Sequence, residues 1–182
     1  MNLVLAISGL HGSGKSTYAR AMAKAYGLKV VSAGQSFRRI AKERGMTLEQ
    51  LTAEASKDPS IDKLIDDMTK QEAEKGNAIL DGQLSGRMAQ EKADIKIFLT
   101  APDSVRFERI ASRDRIHVED AKKQTLMREA AQRERFIRYY GIDPSDLSTY
   151  DLVFDTSLRP LDENIKILKN LISEYLGEKA KK

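Results

Sequence analysis

The chain has 182 residues with 31 Lys or Arg against 27 Asp or Glu, a formal net charge of +4, and a length that predicts one domain spanning 1–182. It has no cysteine, which excludes disulfides, thiolate metal sites and cysteine nucleophiles, and its two histidines argue against a histidine-based zinc site. No apolar run approaches the ~20 residues of a membrane span and the first residues lack the pattern of a secretory signal, so we expect a cytoplasmic protein with no membrane partner.

The first predicted element is a strand, the apolar run from Leu3 to Ile7, which is short and continuous like a strand buried on both faces. It leads into Gly9 to Ser16, which matches the phosphate-binding pattern G-x-x-x-x-G-K-[ST] at every fixed position. A helix is predicted next, from Lys15 to Tyr26. This order of strand, loop and helix is the context that the motif requires, so an accidental glycine-rich turn is a poor alternative.

Each residue type in this phosphate loop has a physical task. Glycines allow backbone N–H groups to curl around phosphates, Lys15 reaches the β- and γ-phosphates as a catalytic group, and Ser16 offers a hydroxyl to Mg²⁺. His11 stands at a variable position and is interpreted as a spacer, because phosphoryl transfer needs little proton chemistry from the protein. The predicted ATP-binding residues of the loop are Gly9, Leu10, His11, Gly12, Ser13, Gly14, Lys15, Ser16 and Thr17.

The rest of the chain alternates predicted strands with predicted helices. Short apolar runs predict strands at 28–31, 78–80, 95–99 and 152–154. Helical patterns occupy 36–44, 47 onward, 59–75, 103 onward, 118–140 and 165–176. Parallel strands need such crossovers, so the predicted fold class is α/β: the P-loop nucleoside triphosphate hydrolase fold, with a five-stranded parallel sheet covered by helices on both faces.

Asp81 and Gly82 directly follow the predicted third strand. A lone aspartate at this position either caps a turn or orders Mg²⁺, and the residue pattern leaves both interpretations open. Ligands of open α/β sheets bind beyond the C-terminal ends of the strands, which would bring Asp81 near the phosphate loop. The sequence has no Asn-Lys-x-Asp guanine-reading motif, which argues against a GTPase.

Arginines are unevenly distributed, because eight of the fourteen lie between 106 and 138. For any one of them a solvated helix face is the simpler interpretation. Arg38 lies on a different predicted element, and Arg128 and Arg135 are two helical turns apart. Taken together they fit an enzyme that holds two phosphate-bearing substrates, since guanidinium groups bind phosphates and neutralise the charge of a transferred phosphoryl group.

Over nearly its whole length the chain resembles the nucleoside monophosphate kinases, and above all the short archaeal type of cytidylate kinase. The resemblance rests on the phosphate loop and on weaker motifs in matching order, namely Ser36-Phe37-Arg38, Asp81-Gly82, Ile97-Phe98-Leu99, the arginine-rich stretch 128–135 and Asp155-Thr156-Ser157. It implies a core with two mobile segments: a monophosphate-binding segment at about 36–75 and a lid at about 113–135.

The resemblance also implies roles for individual residues. Arg38, with Asp81 and Gly82, would bind the acceptor, Arg128 and Arg135 would clamp the acceptor and transferring phosphates as catalytic residues, and Arg109, Arg113 and Arg115 would lie near ATP. Bacterial cytidylate kinases have Arg-Asp after the Asp-Gly pair, where this chain has Gln83-Leu84. Our hypothesis is that Arg87 substitutes for the missing arginine in acceptor binding.

These observations predict a monomeric kinase that transfers the γ-phosphoryl group of ATP, with Mg²⁺, to CMP and to dCMP. Adenylate kinase and small-metabolite kinases such as shikimate or dephospho-coenzyme A kinase are alternatives within the same class. A P-loop ATPase that binds RNA or ribosomes is the alternative from another class. Aromatic and basic residues do not interleave on a predicted strand pair, so we expect small-molecule substrates and no nucleic-acid partner.

Overall fold

The computed structural model describes residues 2–179. Within this range five parallel strands form one sheet in the order β2-β3-β1-β4-β5, which confirms the predicted number and direction. The strands are β1 Val4–Gly9, β2 Lys29–Ser32, β3 Ala78–Asp81, β4 Ile95–Thr100 and β5 Leu152–Asp155.

Eight α-helices and one 3-10 turn complete the described part of the chain. The helices are α1 Lys15–Tyr26, α2 Ala33–Glu43, α3 Leu48–Ala55, α4 Ser60–Lys75, α5 Ser85–Ala89, α6 Asp103–Asp114, α7 Val118–Tyr140 and α8 Leu161–Lys179, and the 3-10 turn is Gln90–Lys92. Within residues 2–179 no helix has both the length and the apolar character that crossing a bilayer would need.

Capping residues determine where two of the helices begin. The predicted capping box at the start of α3 is confirmed. The Thr47 hydroxyl accepts from the backbone N–H of Gln50 at 3.1 Å, and the Gln50 side-chain oxygen accepts from the backbone N–H of Thr47 at 2.8 Å. Helix α2 begins three residues earlier than predicted, because the Ser32 hydroxyl caps it by accepting from the backbone N–H of Gln35. Helix α5 was not predicted: its five residues are too few to show a helical period.

Both faces of the sheet are covered, as the continuous apolar strands predict. In β1, Leu5 and Ile7 pack with α1 and α8 on one face, whereas Val4 and Ala6 pack with α4 and α5 on the other. Successive side chains of a strand point to opposite faces of the sheet. A strand that is covered on both faces is therefore a continuous apolar run and does not alternate between apolar and polar residues. The carboxyl ends of β1 and β3 lie side by side in the sheet, and the groups that follow them therefore meet at one edge.

Candidate active site

The phosphate loop runs from the end of β1 into α1 and packs closely against its neighbours. A Cβ atom on Gly9 would lie 2.3 Å from the carbonyl oxygen of Leu99, and one on Gly12 would lie 2.5 Å from that of Arg106. Both glycines have positive φ, 144° and 77°. Only glycine combines this conformation with such close backbone approach, so β4 and α6 fix the shape of the loop.

Lys15 lies folded across the phosphate loop, where its Nζ donates to the carbonyl oxygen of Leu10 at 2.8 Å. Burial lowers the pKa of Lys15 to about 8, against the opposing effect of the Asp81 and Glu129 carboxylates. Loss of hydration disfavours an ammonium group unless an anion replaces the water. The lysine is thus a cation for which a bound phosphate would be a favourable partner.

Asp81 lies at the end of β3, beside the phosphate loop, as its position after the strand predicted. Its Oδ2 accepts from the Ser16 hydroxyl at 2.7 Å and from the Ser32 hydroxyl at 2.9 Å, and the residue is only 2% exposed. The carboxylate therefore does more than cap a local turn. It holds the first turn of α1 and the end of β2 around one negative charge.

A cavity of about 900 Å³ opens beside the phosphate loop and extends between α2, α4, α5, α6 and α7. Twelve of the predicted site residues line it: His11, Gly12, Gly14, Lys15, Ser16, Thr17, Arg38, Asp81, Gly82, Arg109, Arg113 and Arg128. Gly9, Leu10 and Ser13 belong to the loop but are not among the residues that line the cavity. The volume of the cavity lies in the range of ligand pockets, which reaches ~1,000 Å³.

Three arginines from three helices converge on this cavity: Arg38 of α2, Arg113 of α6 and Arg128 of α7. Burial lowers the pKa of Arg128, and the neighbouring charges of Arg113 and Arg38 lower it further. Among the described residues, no hydrogen-bond partner accepts from the buried Nε of Arg128. Arg113 is itself paired with Asp114 at 2.7 Å. The unused donor of Arg128, beside two other guanidinium ions, is a site for an anion.

Arg109 connects the loop to the residues that follow β5. Its guanidinium donates to the hydroxyl and to the carbonyl oxygen of Thr156 at 2.8 and 2.9 Å, and to the carbonyl oxygen of Gly12 at 3.3 Å. The Thr156 hydroxyl in turn donates to Ser13. Arg109 thus forms cavity wall and also holds the phosphate loop in place.

Three other predicted arginines lie outside the cavity lining, and each differs from the predicted placement for a physical reason. Arg135 is 1% exposed because its Nε donates to Oδ2 of Asp62 at 2.7 Å, so it orders a carboxylate of the wall and does not itself face the cavity. Arg87 donates to the carboxylate and carbonyl oxygens of Asp146, at 2.6 and 2.8 Å. Arg115 is exposed and ends α6 in the left-handed conformation.

Sequence reasoning missed the ion pair between Arg106 and Glu129, which contacts the phosphate loop through His11. Arg106 is 2% exposed and donates to Glu129 at 2.8 Å and to the carbonyl oxygen of His11 at 2.7 Å. One signal was present, because Arg106 precedes the buried Ile110 by four residues and so lies on the same helix face. Nothing in the sequence indicated Glu129 as its partner.

Three comparisons with known proteins agree with this geometry. Residues 4–158 match the model of the Cytidylate kinase-like family. The chain is 46% identical to the cytidylate kinase of Staphylothermus marinus, over 97% of this chain and 99% of the relative. It is 44% identical to the cytidylate kinase of Methanopyrus kandleri, over 97% and 96%.

Among solved structures, shikimate kinase from Bacteroides thetaiotaomicron is similar with a TM-score of 0.63, over 94% of this chain and 98% of that chain, at 15% identity. At such low identity the similarity establishes the P-loop kinase fold alone. The family model and the two cytidylate kinases span most of the chain, and it therefore belongs to the cytidylate kinase-like family and is a nucleotide-using kinase.

Proposed function

We propose that the enzyme transfers the γ-phosphoryl group of ATP to CMP and to dCMP, giving ADP and CDP or dCDP. The supporting observation is that Arg38, Arg113 and Arg128 line the same cavity as Lys15. A single nucleotide's phosphates would be served by the loop and its lysine. Three further cations on separate helices match the phosphate of a second substrate, as a kinase with a nucleotide acceptor requires.

In the proposed reaction an ionised oxygen of the CMP phosphate attacks the γ-phosphorus in line, while the bond to the β–γ bridging oxygen breaks and its electron pair leaves with ADP. The acceptor is already ionised, so the reaction needs no protein base or nucleophile. Lys15 and Arg128 would neutralise charge on the transferring group while Arg38 holds the acceptor. Arginines in such a role are worth about 10³–10⁵ in rate.

The residues beside the phosphate loop fit Mg²⁺. The Ser16 hydroxyl and the Asp81 carboxylate are oxygen ligands 2.7 Å apart, and Mg²⁺ binds to one or two protein oxygens while keeping waters and phosphate oxygens. Within residues 2–179 no group of three or more His, Asp or Glu side chains forms a metal cluster. When bound with ATP, the ion would supply neutralisation of phosphate charge.

Two acidic residues of the cavity wall support the proposed identity of the acceptor base. Asp62 and Asp66 lie four residues apart on α4 and line the cavity with Ile65 and Thr69. Ionised carboxylates only accept hydrogen bonds. Cytosine presents an exocyclic amine that donates, whereas uracil presents a carbonyl oxygen at the same position. We therefore propose that these acidic residues favour CMP over UMP; adenine also has an amine, which makes AMP the informative competitor.

We further propose that the segments 36–75 and 113–135 close on bound nucleotides, because Arg38 and Arg128 lie on different segments yet would act on the acceptor phosphate and on the group transferred to it. Closure would exclude water and keep hydrolysis of ATP slow. We propose that the enzyme is a monomer in the cytoplasm. Light scattering after size-exclusion chromatography tests the oligomeric state.

The test of the function is a coupled assay for ADP with ATP and each of CMP, dCMP, UMP, AMP and GMP, and with ATP alone. We expect the highest kcat/KM with CMP, substantial activity with dCMP, and little ADP without an acceptor. Arg38→Ala should raise KM for CMP with little change in KM for ATP. A higher kcat/KM with AMP than with CMP, or equal ADP release without an acceptor, would contradict the proposal.

A further inference from the structure

The backbone of His11 in the phosphate loop is held on both sides by charged side chains from outside the loop. Its N–H donates to Oε1 of Glu129 at 3.0 Å, and its carbonyl oxygen accepts from Arg106 at 2.7 Å. The His11 ring adds a third contact, since its Nδ1 lies 3.2 Å from the same Glu129 oxygen. Glu129 is on α7 and Arg106 is on α6. Two helices therefore fix the two peptide groups that flank His11.

Glu129 and Arg106 also bind each other, with guanidinium nitrogens 2.8 and 3.3 Å from the two carboxylate oxygens. Arg106 is anchored at its other edge by Asp103 at 2.7 Å. Burial alone would raise the pKa of Glu129, but the hydrogen bonds from His11 and Arg106 outweigh it and lower the pKa to about 2. Glu129 is thus an ionised acceptor throughout the pH range in which a kinase works.

The His11 ring does not compete with this contact by becoming charged. Burial lowers the pKa of His11 to about 4, so the ring is neutral near pH 7. Its Nδ1 also lies 3.1 Å from the side-chain amide of Gln83. A neutral ring nitrogen either donates or accepts. The backbone N–H of His11 is therefore the one donor from this residue that Glu129 receives whichever ring tautomer is present.

Glu129 directly follows Arg128 on α7. Successive residues of a helix point about 100° apart. Accordingly the Arg128 side chain lines the cavity while the Glu129 carboxylate contacts the phosphate loop. Because the two residues are adjacent on the helix, the Glu129 contacts also restrict where Arg128 can lie relative to the loop. Another acidic residue of α7, Glu134, is exposed, and within the described residues its one ion pair is with Arg138 on its own helix, at 3.8 Å.

We propose that Glu129 is a positioning residue that joins α7 to the phosphate loop, so that Arg128 reaches the transferring phosphoryl group in register with Lys15. This inference rests on the proposed role of Arg128. A purely structural ion pair would stabilise the fold equally well with or without Arg128. A positioning residue acts through Arg128, and its effect on kcat disappears when that arginine is absent.

The experiment measures kcat, both KM values and Tm for Glu129→Gln, Arg128→Ala, the double variant and the matched control Glu134→Gln. We expect Glu129→Gln to lower kcat between about ten- and a hundredfold, since a misplacement of ~1 Å can cost about 10²-fold. Both KM values should change less than kcat. The double variant should be no slower than Arg128→Ala alone, and Glu134→Gln should behave like the parent enzyme.

Full kcat in Glu129→Gln would overturn the inference, and so would losses that multiply in the double variant. If instead Arg128→Ala keeps full activity, the proposed catalytic role of Arg128 fails, and the positioning role of Glu129, which rests on it, fails as well. Should Glu129→Gln not fold, Glu129→Asp takes its place: it keeps the charge for Arg106 but is one methylene shorter on the side of His11. The same loss of kcat and the same absence of multiplication are expected.

Discussion

The Ser16 hydroxyl donates to Oδ2 of Asp81 across 2.7 Å and so joins the start of α1 to the end of β3. An amide oxygen at the same position could still accept this bond and the one from Ser32. Asp81→Asn should therefore fold like the parent chain while losing the negative charge beside the proposed Mg²⁺ position. We expect a rise of about 10–100-fold in the Mg²⁺ concentration needed for half-maximal activity.

The measurement is a Mg²⁺ titration of initial rate at saturating ATP and CMP. Glu43→Gln is the control, because it neutralises an exposed carboxylate of α2 that pairs only loosely with Arg39, at 3.7 Å. It should leave the titration unchanged. An unshifted titration in Asp81→Asn would show that the aspartate only supports the fold.

Lys15→Met should abolish phosphoryl transfer without destabilising the protein. The lysine is the cation nearest the position that the loop gives to phosphates, and burial lowers its pKa to about 8, so its ammonium is unfavourable in the folded chain. We expect activity below about 10⁻³ of the parent value and a Tm equal to or above that of the parent. Activity above a tenth of the parent value would contradict the catalytic assignment. Calorimetry on the same sample separates a loss of catalysis from a loss of folded protein.

Local chemistry explains how much of the fold the sequence could predict. Helix α7 has the predicted bounds, Val118–Tyr140, because Gly141 ends it in the left-handed conformation. The capping box of α3 is likewise a local motif, because all of its groups lie within four consecutive residues. Helix α5 escaped prediction because its five residues are too few to show a helical period. The close approach of its Gly86 to the Tyr150 ring, 2.5 Å from a Cβ built on the glycine, is a long-range contact that the sequence does not indicate.

The candidate site shows the same division. The phosphate loop and the position of Asp81 follow from contiguous residues and from the rule that parallel strands end at one edge. Arg135 is different, because its partner Asp62 is 73 residues away and on another helix. Helical spacing places Arg135 on the same side of α7 as Arg128 but contains no information about which acid it meets. Charge pairing across helices had to be seen in the structure.

Arg135→Met should destabilise the fold more than it impairs phosphate binding. The arginine is buried with Asp62, and removing one partner of a buried pair costs about 3–5 kcal/mol because it leaves an unpaired charge. We expect a Tm about 10 °C lower, from ~2–4 °C per kcal/mol in a chain of this size. The double variant Asp62→Asn with Arg135→Met should recover most of the loss, as urea unfolding of all three proteins can measure. An unchanged Tm in Arg135→Met would contradict this expectation.

Asp66→Asn should stabilise the protein at neutral pH and have little effect in acid. Burial raises the pKa of Asp66 to about 6, and Asp62 and Asp67 raise it too, against a hydrogen bond from Tyr140 and the charge of Lys70. The ordinary value is 3.8. Between these values the folded chain binds more protons than the unfolded chain, so stability falls as pH rises from about 4 to about 6 and stays lowered above it.

An asparagine oxygen still accepts from Tyr140 but has no charge to desolvate. We expect the gain in unfolding free energy to be on the order of 2 kcal/mol at pH 7.5 and near zero at pH 3.5. Urea unfolding across pH 3.5–8 measures it. Glu74→Gln is the control on the same helix, since Glu74 is exposed and is not among the charges that shift the pKa of Asp66. A gain that is equal at both ends of the pH range would mean that Asp66 does not titrate as its environment indicates.

The same substitution should weaken the choice of cytosine over uracil. An ionised carboxylate accepts from the cytosine amine and repels the uracil carbonyl oxygen, whereas an asparagine amide can also donate to that oxygen. We expect the ratio of kcat/KM for CMP to that for UMP to fall at least about tenfold in Asp66→Asn, since a lost hydrogen bond to a charged group is worth about 1.5–3 kcal/mol.

The parent enzyme offers a second readout, because Asp66 gains a proton as pH falls through about 6. The protonated carboxyl group can donate to uracil, so the CMP-to-UMP ratio should decrease below this pH. The nucleotide phosphates also titrate near pH 6, but equally in both substrates, so their effect cancels in the ratio. In Asp66→Asn the ratio should be independent of pH. A ratio that keeps its pH dependence in this variant would place cytosine selection on another residue of the cavity.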